Sequence, residues 1–240
     1  MTATTFSQHI SRQFDQELED IRARVMSMGG LIEAQIDNAL EALCGGNSEL
    51  AEKVIEADIK VNALEVSIDE DCTQILARRQ PAASDLRLVL AVGKTITDLE
   101  RIGDEAEKIG HMALHLAESQ CPKSYYVGVA SMGNHVRAML HDALDAFARM
   151  DSEAALKVAS EDPKVDQEYA AILRQLITYM MEDPRSIARA LDVIWSVRAL
   201  ERIGDHASNI CENVIYLTEG KNVRHISLEE MRKKVHPESH

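Results

Sequence analysis

Leu99-Glu-Arg-Ile-Gly-Asp104 recurs residue for residue as Leu200-Glu-Arg-Ile-Gly-Asp205. Six identical residues 101 positions apart point to an internal duplication, which must be recognised before any fold is assigned. The repeat extends outward from the hexapeptide. At an offset of 104, Glu49-Leu-Ala-Glu-Lys-Val54 aligns with Glu153-Ala-Ala-Leu-Lys-Val158, Asp58 with Asp162, Lys60-Val61 with Lys164-Val165, and Ala39-Leu40 with Ala143-Leu144. The hexapeptide itself lies in a helical pattern. Leu99, Ile102, Ala106, Ile109 and Ala113 step by three and four, as do Leu200, Ile203, Ala207, Ile210, Val214 and Leu217. Such a stripe is the core-facing seam of a helix.

Composition supports long helices throughout. The 240 residues include only 11 glycines and 5 prolines, about half the usual share, and aromatics are 4%. Breaks fall at Gly45-Gly46-Asn47, Gln80-Pro81, Cys121 to Ser124, Met150 to Ser152 and Asp183-Pro184, with Gly220 closing the last segment. They predict six helices over 8–44, 48–79, 84–120, 125–150, 152–182 and 185–219. Ser84 and Asp85 are the expected caps of the third, Pro184 suits the first turn of the sixth, and Pro163 should kink or restart the fifth. The expected fold is all-α: two tandem repeated antiparallel three-helix bundles, over 1–120 and 121–219, with a C-terminal tail over 220–240 that frays.

Charge and cysteine narrow the function classes. Against 26 basic side chains stand 40 acidic ones, a formal charge of −14 that repels phosphate backbones and disfavours nucleic acid. No apolar run approaches the roughly 20 residues of a spanning helix, and Met1 to Gln16 has no secretion-signal pattern, so the expected compartment is the cytosol. Cys44, Cys72, Cys121 and Cys211 are far apart and read as buried or half-buried thiols. There is no Gly-rich phosphate loop, no G-x-S-x-G, no Glu-x-x-His and no Cys–His nucleophile pair.

The acids of the hexapeptide carry the remaining chemistry. Glu100 and Asp104, like Glu201 and Asp205, are one turn apart on one face, where like charges cost a helix about 0.2–0.5 kcal/mol. A hard cation bound to both carboxylates would remove that repulsion. Partner ligands should come from the second helix of each copy: Asp162 and Asp166, with Asp58 and Asn62 as their counterparts. A solvated acidic face explains the same spacing. Gly103 and Gly204 each cost about 1 kcal/mol against alanine, so their retention implies close approach of a helix or ligand. Arg101 and Arg202 should neutralise nearby acids or touch a partner. Glu107, His111 and His115 allow a zinc site to be drawn, with no equivalent in the second copy.

With these motifs in place, the chain resembles the PhoU family, accessory regulators of phosphate-specific transport. The likeness covers nearly all of it, through Gln13 to Glu17, Arg79 to Arg87, both hexapeptides and Tyr179 to Asp183. The resemblance implies a cytoplasmic, non-catalytic protein that binds metal clusters through paired E/D-x-x-x-D motifs. By position these are Asp162/Asp166 with Glu201/Asp205, and Asp58 with Glu100/Asp104. Asn62 replaces an acid in the first copy, so a cluster there should be weaker or smaller. The metal would be Fe, Zn, Mn or Mg. The implied partners are the ATPase subunit of a phosphate transporter and a sensor histidine kinase of the phosphate regulon. Membrane association would come only through them, and a homodimer is expected. Asp85 and Arg87 match a further family signature, used at an interface or a bundle edge. The competing function is a metal-dependent phosphoester hydrolase built on the same carboxylates.

Overall fold

A computed structural model describes residues 3–81, 83–118 and 122–236, with residues 3–11 described by their backbone alone. Helices α1 (Ala3–Gly45), α2 (Ser48–Arg79) and α3 (Ala83–Glu118) form the first half. Helices α4 (Val127–Arg149), α5 (Ser152–Ala159), α6 (Asp162–Glu182), α7 (Ile187–Glu219) and α8 (Leu228–Val235) form the second. Short 3-10 turns at Lys123–Tyr125 and Pro184–Ser186 lead into α4 and α7.

The breaks have local causes. Asn47 caps α2 by accepting from the Leu50 N–H at 3.1 Å, and Gly46 turns the chain at φ +68°. Gly220, at φ +66°, ends α7 and donates its N–H to the Tyr216 carbonyl at 3.0 Å. Pro163 restarts the fifth predicted helix rather than kinking it. The chain leaves α5 at Ser160 and re-enters as α6 at Asp162, which puts the proline in a first turn that needs no N–H. Helix α3 begins at Ala83, so Ser84 and Asp85 lie in its first turn rather than at its cap. Asp183 caps the turn before α7 by accepting from the Arg185 N–H at 3.0 Å.

The tail departs from expectation. Instead of fraying, residues 228–235 form α8, opened by a capping box in which Ser227 and Glu230 satisfy each other's backbone N–H groups at 3.2 and 3.1 Å. Met231, Val235 and the preceding Val223 are buried, and α8 packs on α5 and α7. Of the expected break at Cys121 to Ser124, Cys121 lies outside the described residues, and Lys123 and Ser124 fall in the first 3-10 turn. Cys72 and Cys211 are buried and Cys44 half-buried. Burial raises all three thiols, Cys72 to about 12, so none is a ready nucleophile.

Both seams face inward. Leu99, Ile102 and Ile109 on α3, and Leu200, Ile203 and Ile210 on α7, are fully buried, each such side chain contributing about 1.5–3 kcal/mol. The halves share one continuous core, because α3 packs along α7 and α1 against α4. The α1–α4 approach depends on bare Cα atoms: a Cβ at Gly133 would lie 2.3 Å from Leu40 Cδ2, and one at Gly29 would lie 2.7 Å from Leu144 Cδ1. Gly133→Val should therefore lower the unfolding free energy by about 1–3 kcal/mol. Gly30→Val, where nothing lies within 4 Å, should be close to neutral. Urea unfolding of both variants checks this; equal losses would refute the close-approach explanation.

Candidate metal centres

In the first half, α3 presents Glu100, Asp104 and Glu107 at steps of four and three, one stripe beside the buried seam. Helix α2 brings Asp58, which is only 5% exposed, against that stripe. Single carboxylate oxygens of Asp58, Asp104 and Glu107 all lie within 4.8 Å of one another. Asp58 Oδ2 accepts from Asn62 Nδ2 at 2.8 Å, and Oδ1 accepts from Gln35 Nε2 of α1 at 3.5 Å. Glu100 stands outside the trio. Burial raises its carboxyl pKa, Asp104 raises it further, and Arg101 works against both. Arg101 reaches Glu100 and Asp104 at 3.5 Å each, as the sequence predicts for a neutralising arginine.

In the second half, Asp162 opens α6, Asp166 follows one turn on, and Glu201 and Asp205 project from α7. A helix N-terminus favours a carboxylate by at most about 2 kcal/mol. Burial, together with the charges of Asp205 and Asp166, outweighs that and pushes Asp162 up to about 6. Burial likewise raises Asp205, helped by Asp166, and Glu201, helped by Asp205. Glu201 Oε1 accepts from Arg198 at 2.7 Å, whereas Oε2 is buried with no hydrogen-bond partner. Three carboxylates whose affinity for protons is raised, each in part by the charge of a neighbouring acid, form a site short of positive charge.

Among the described residues, only Asp58, Asp104 and Glu107 bring three ligand atoms within 4.8 Å of one another. Every candidate ligand atom is an oxygen, as Mg²⁺, Mn²⁺ and Ca²⁺ prefer, and each half holds a buried orphan oxygen: Gln35 Oε1 in the first, Glu201 Oε2 in the second. The zinc arrangement drawn from the sequence is not what assembles. His111 Nε2 lies 3.6 Å from Glu107 and His115 is exposed, while Glu107 joins two aspartates. The paired glycines differ in space. A Cβ at Gly103 would sit 3.0 Å from Asp58 Oδ1 and 3.1 Å from Val61 Cγ1, whereas one at Gly204 would meet Val165 at an ordinary 3.4 Å.

Between the halves lies a polar seam that sequence reasoning missed. Asp98 of α3 accepts from three groups of α7: His206 Nδ1 at 3.0 Å, Asn209 Nδ2 at 3.1 Å and Asn213 Nδ2 at 3.2 Å. Glu105, almost fully buried, accepts from Arg202 Nε at 2.7 Å and Lys108 Nζ at 3.0 Å. Arg202 thus neutralises an acid across the interface. Arg87 places its guanidinium beside Gly220, where the carbonyl end of α7 attracts a cation. Asp85, half-buried, lies in the first turn of α3. These contacts run in opposite order along α3 and α7, which are therefore antiparallel. Asp98 carries no motif, since its role depends on two helices meeting.

A PhoU domain model matches the chain twice, over residues 25–113 and 129–214. A Pseudomonas aeruginosa protein described as a phosphate-specific transport system accessory protein PhoU homolog is 53% identical over 231 residues, covering 96% of each chain. The crystal structure of PhoU from the same organism superposes with a TM-score of 0.85, covering 87% of this chain and all of that one. The phosphate transport system regulatory protein PhoU from Streptococcus pneumoniae, at 33% identity, gives a TM-score of 0.81 over 88% of this chain and 99% of that one.

Proposed function

This chain belongs to the PhoU family of phosphate transport accessory proteins, regulators and not enzymes, and on that premise we propose that it is a cytoplasmic, metal-binding adaptor. It represses the phosphate-starvation response and modulates phosphate uptake by coupling the ATPase subunit of the phosphate transporter to a membrane sensor histidine kinase. The observation that carries this is the match over nearly the whole chain, both repeats included. Among the described residues no helix is long and apolar enough to cross a membrane, which fits attachment through partners.

An adaptor acts by binding one state of its target better than another. Its surface supplies a means. Ile187, Leu191 and Trp195 are exposed one turn apart along α7, Trp195 at 63%, with Arg198 and Arg202 continuing the face. Exposed aromatic and arginine side chains are the usual anchors of protein interfaces. A second copy of the chain is expected to pair with the first as a homodimer. When bound, a cation would neutralise the facing carboxylates. Asp58, Glu100, Asp104 and Glu107 would hold it in the first half, and Asp162, Asp166, Glu201 and Asp205 in the second. It would brace α2 against α3 and α6 against α7, keeping the adaptor surface in one shape.

Affinity capture from phosphate-replete cells tests the proposal. The tagged chain should recover a transporter ATPase and a histidine kinase, and Trp195→Ala should weaken at least one of the two. Recovery of neither from cross-linked cells would reject the adaptor role.

A further inference from the structure

The two halves differ at three positions around their carboxylates. Where the second half has Asp166, the first has Asn62; where the second has Ser208, the first has Glu107; where the second has Met139, the first has Gln35. The exchange conserves charge, because an acid lost from α2 is regained one turn further along α3. Each half keeps four carboxylates. From this we infer that Glu107 and Gln35 are ligands of a first-half cation site, replacing the acid that Asn62 lacks.

Two independent observations support the assignment. Glu107 lies within ligand distance of Asp58 and Asp104, a trio that spans two helices. Gln35, 2% exposed on a third helix, is held by its amide N–H₂, which donates to the Val54 carbonyl at 3.2 Å and to Asp58 Oδ1 at 3.5 Å. Its oxygen, Oε1, is buried and accepts nothing. That oxygen and Asp58 Oδ1 converge on the bare Cα of Gly103, the residue next to Asp104, at 3.5 and 3.0 Å from where a Cβ would stand. A buried carbonyl oxygen left unpaired costs about 1–3 kcal/mol unless something occupies its lone pairs. A hard divalent cation does so, and α1, α2 and α3 then each contribute an oxygen ligand. The second half can offer only the Met139 thioether at the place of Gln35. The first site is thus complete and confined to oxygen donors, not the weaker copy that Asn62 alone leads one to expect.

This inference rests on the proposal that the chain binds metal, and the test separates the two. With the second site silenced by Asp162→Asn and Asp205→Asn, the full chain is titrated with Mn²⁺, free ion being followed by electron paramagnetic resonance. The silenced chain should bind one Mn²⁺. Added Glu107→Gln and Gln35→Met should each weaken it about tenfold or more, the scale seen on losing a ligand's support. Combining Asn62→Asp with Glu107→Ser, which installs the second-half acid pattern while keeping Gln35, should restore most of the affinity lost in Glu107→Ser alone. That rescue guards against a merely misfolded variant. Unchanged binding in Glu107→Gln, or no rescue in the double exchange, overturns the ligand assignment while metal binding stands. Absence of Mn²⁺ binding in the unaltered chain overturns both.

Discussion

Cells lacking this chain are expected to express their phosphate-starvation genes in phosphate-rich medium at close to the starved level. The magnitude follows from what a repressing adaptor must accomplish. Moving a kinase from almost wholly active to almost wholly inactive takes roughly a 10⁴-fold preference for one state, about 5.5 kcal/mol. If the chain supplies that bias by unequal binding, its removal returns the whole amount at once. A reporter fused to a starvation promoter measures the effect. Substitutions that only thin the docking face, such as Trp195→Ala, should give intermediate expression, because one anchor contributes about 2–4 kcal/mol of binding. Normal phosphate control in the deletion strain would end the regulatory reading.

The largest stability effect is expected at Asp98. Its carboxylate lies between α3 and α7 and accepts from His206, Asn209 and Asn213 together. Truncation to alanine leaves up to three donors without their acceptor, each costing about 1–3 kcal/mol if buried. Two effects reduce the sum. Alanine is the better helix former by about 0.5 kcal/mol. Asp98, Asn209 and Asn213 also border a groove of about 380 Å³ that can admit water to the two amides. A net loss of about 3 kcal/mol remains, equivalent to a fall in Tm of roughly 6–12 °C at this chain length. Asp98→Asn, which keeps one accepting oxygen and the shape, should cost about 1 kcal/mol. Calorimetry on both variants distinguishes them. A loss below 0.5 kcal/mol for Asp98→Ala would show that the seam between the halves does not depend on this hub.

Several features could be read directly. Few breakers, a three-and-four apolar step and the duplicated hexapeptide are local signals, and α2, α4 and α7 end within two residues of where these place them. The proline restart at α6 is equally local. Helix α8 was readable too. Ser227-Leu-Glu-Glu230 is a capping-box signature that opens an eight-residue helix, although basic residues at a chain end suggest fraying. The acid pairs on α3 and α7 follow from one-turn spacing. Glu107 lies on the same stripe, where His111 and His115 are its neighbours along one helix, but the aspartate that faces it, Asp58, comes from another.

The period of a single helix therefore carries which residues share a face, where each helix stops, and that the unit occurs twice. Tertiary structure alone decided how those faces meet. Gly103 and Gly204 are indistinguishable in their hexapeptides, yet only the first is crowded by an aspartate. Asp98 and Gln35 carry no motif, and each gains its role from a helix many residues away. The reason is physical. Spacing along a helix is set by backbone hydrogen bonds four residues apart, whereas the register between helices is set by the shapes of side chains that the sequence does not bring together.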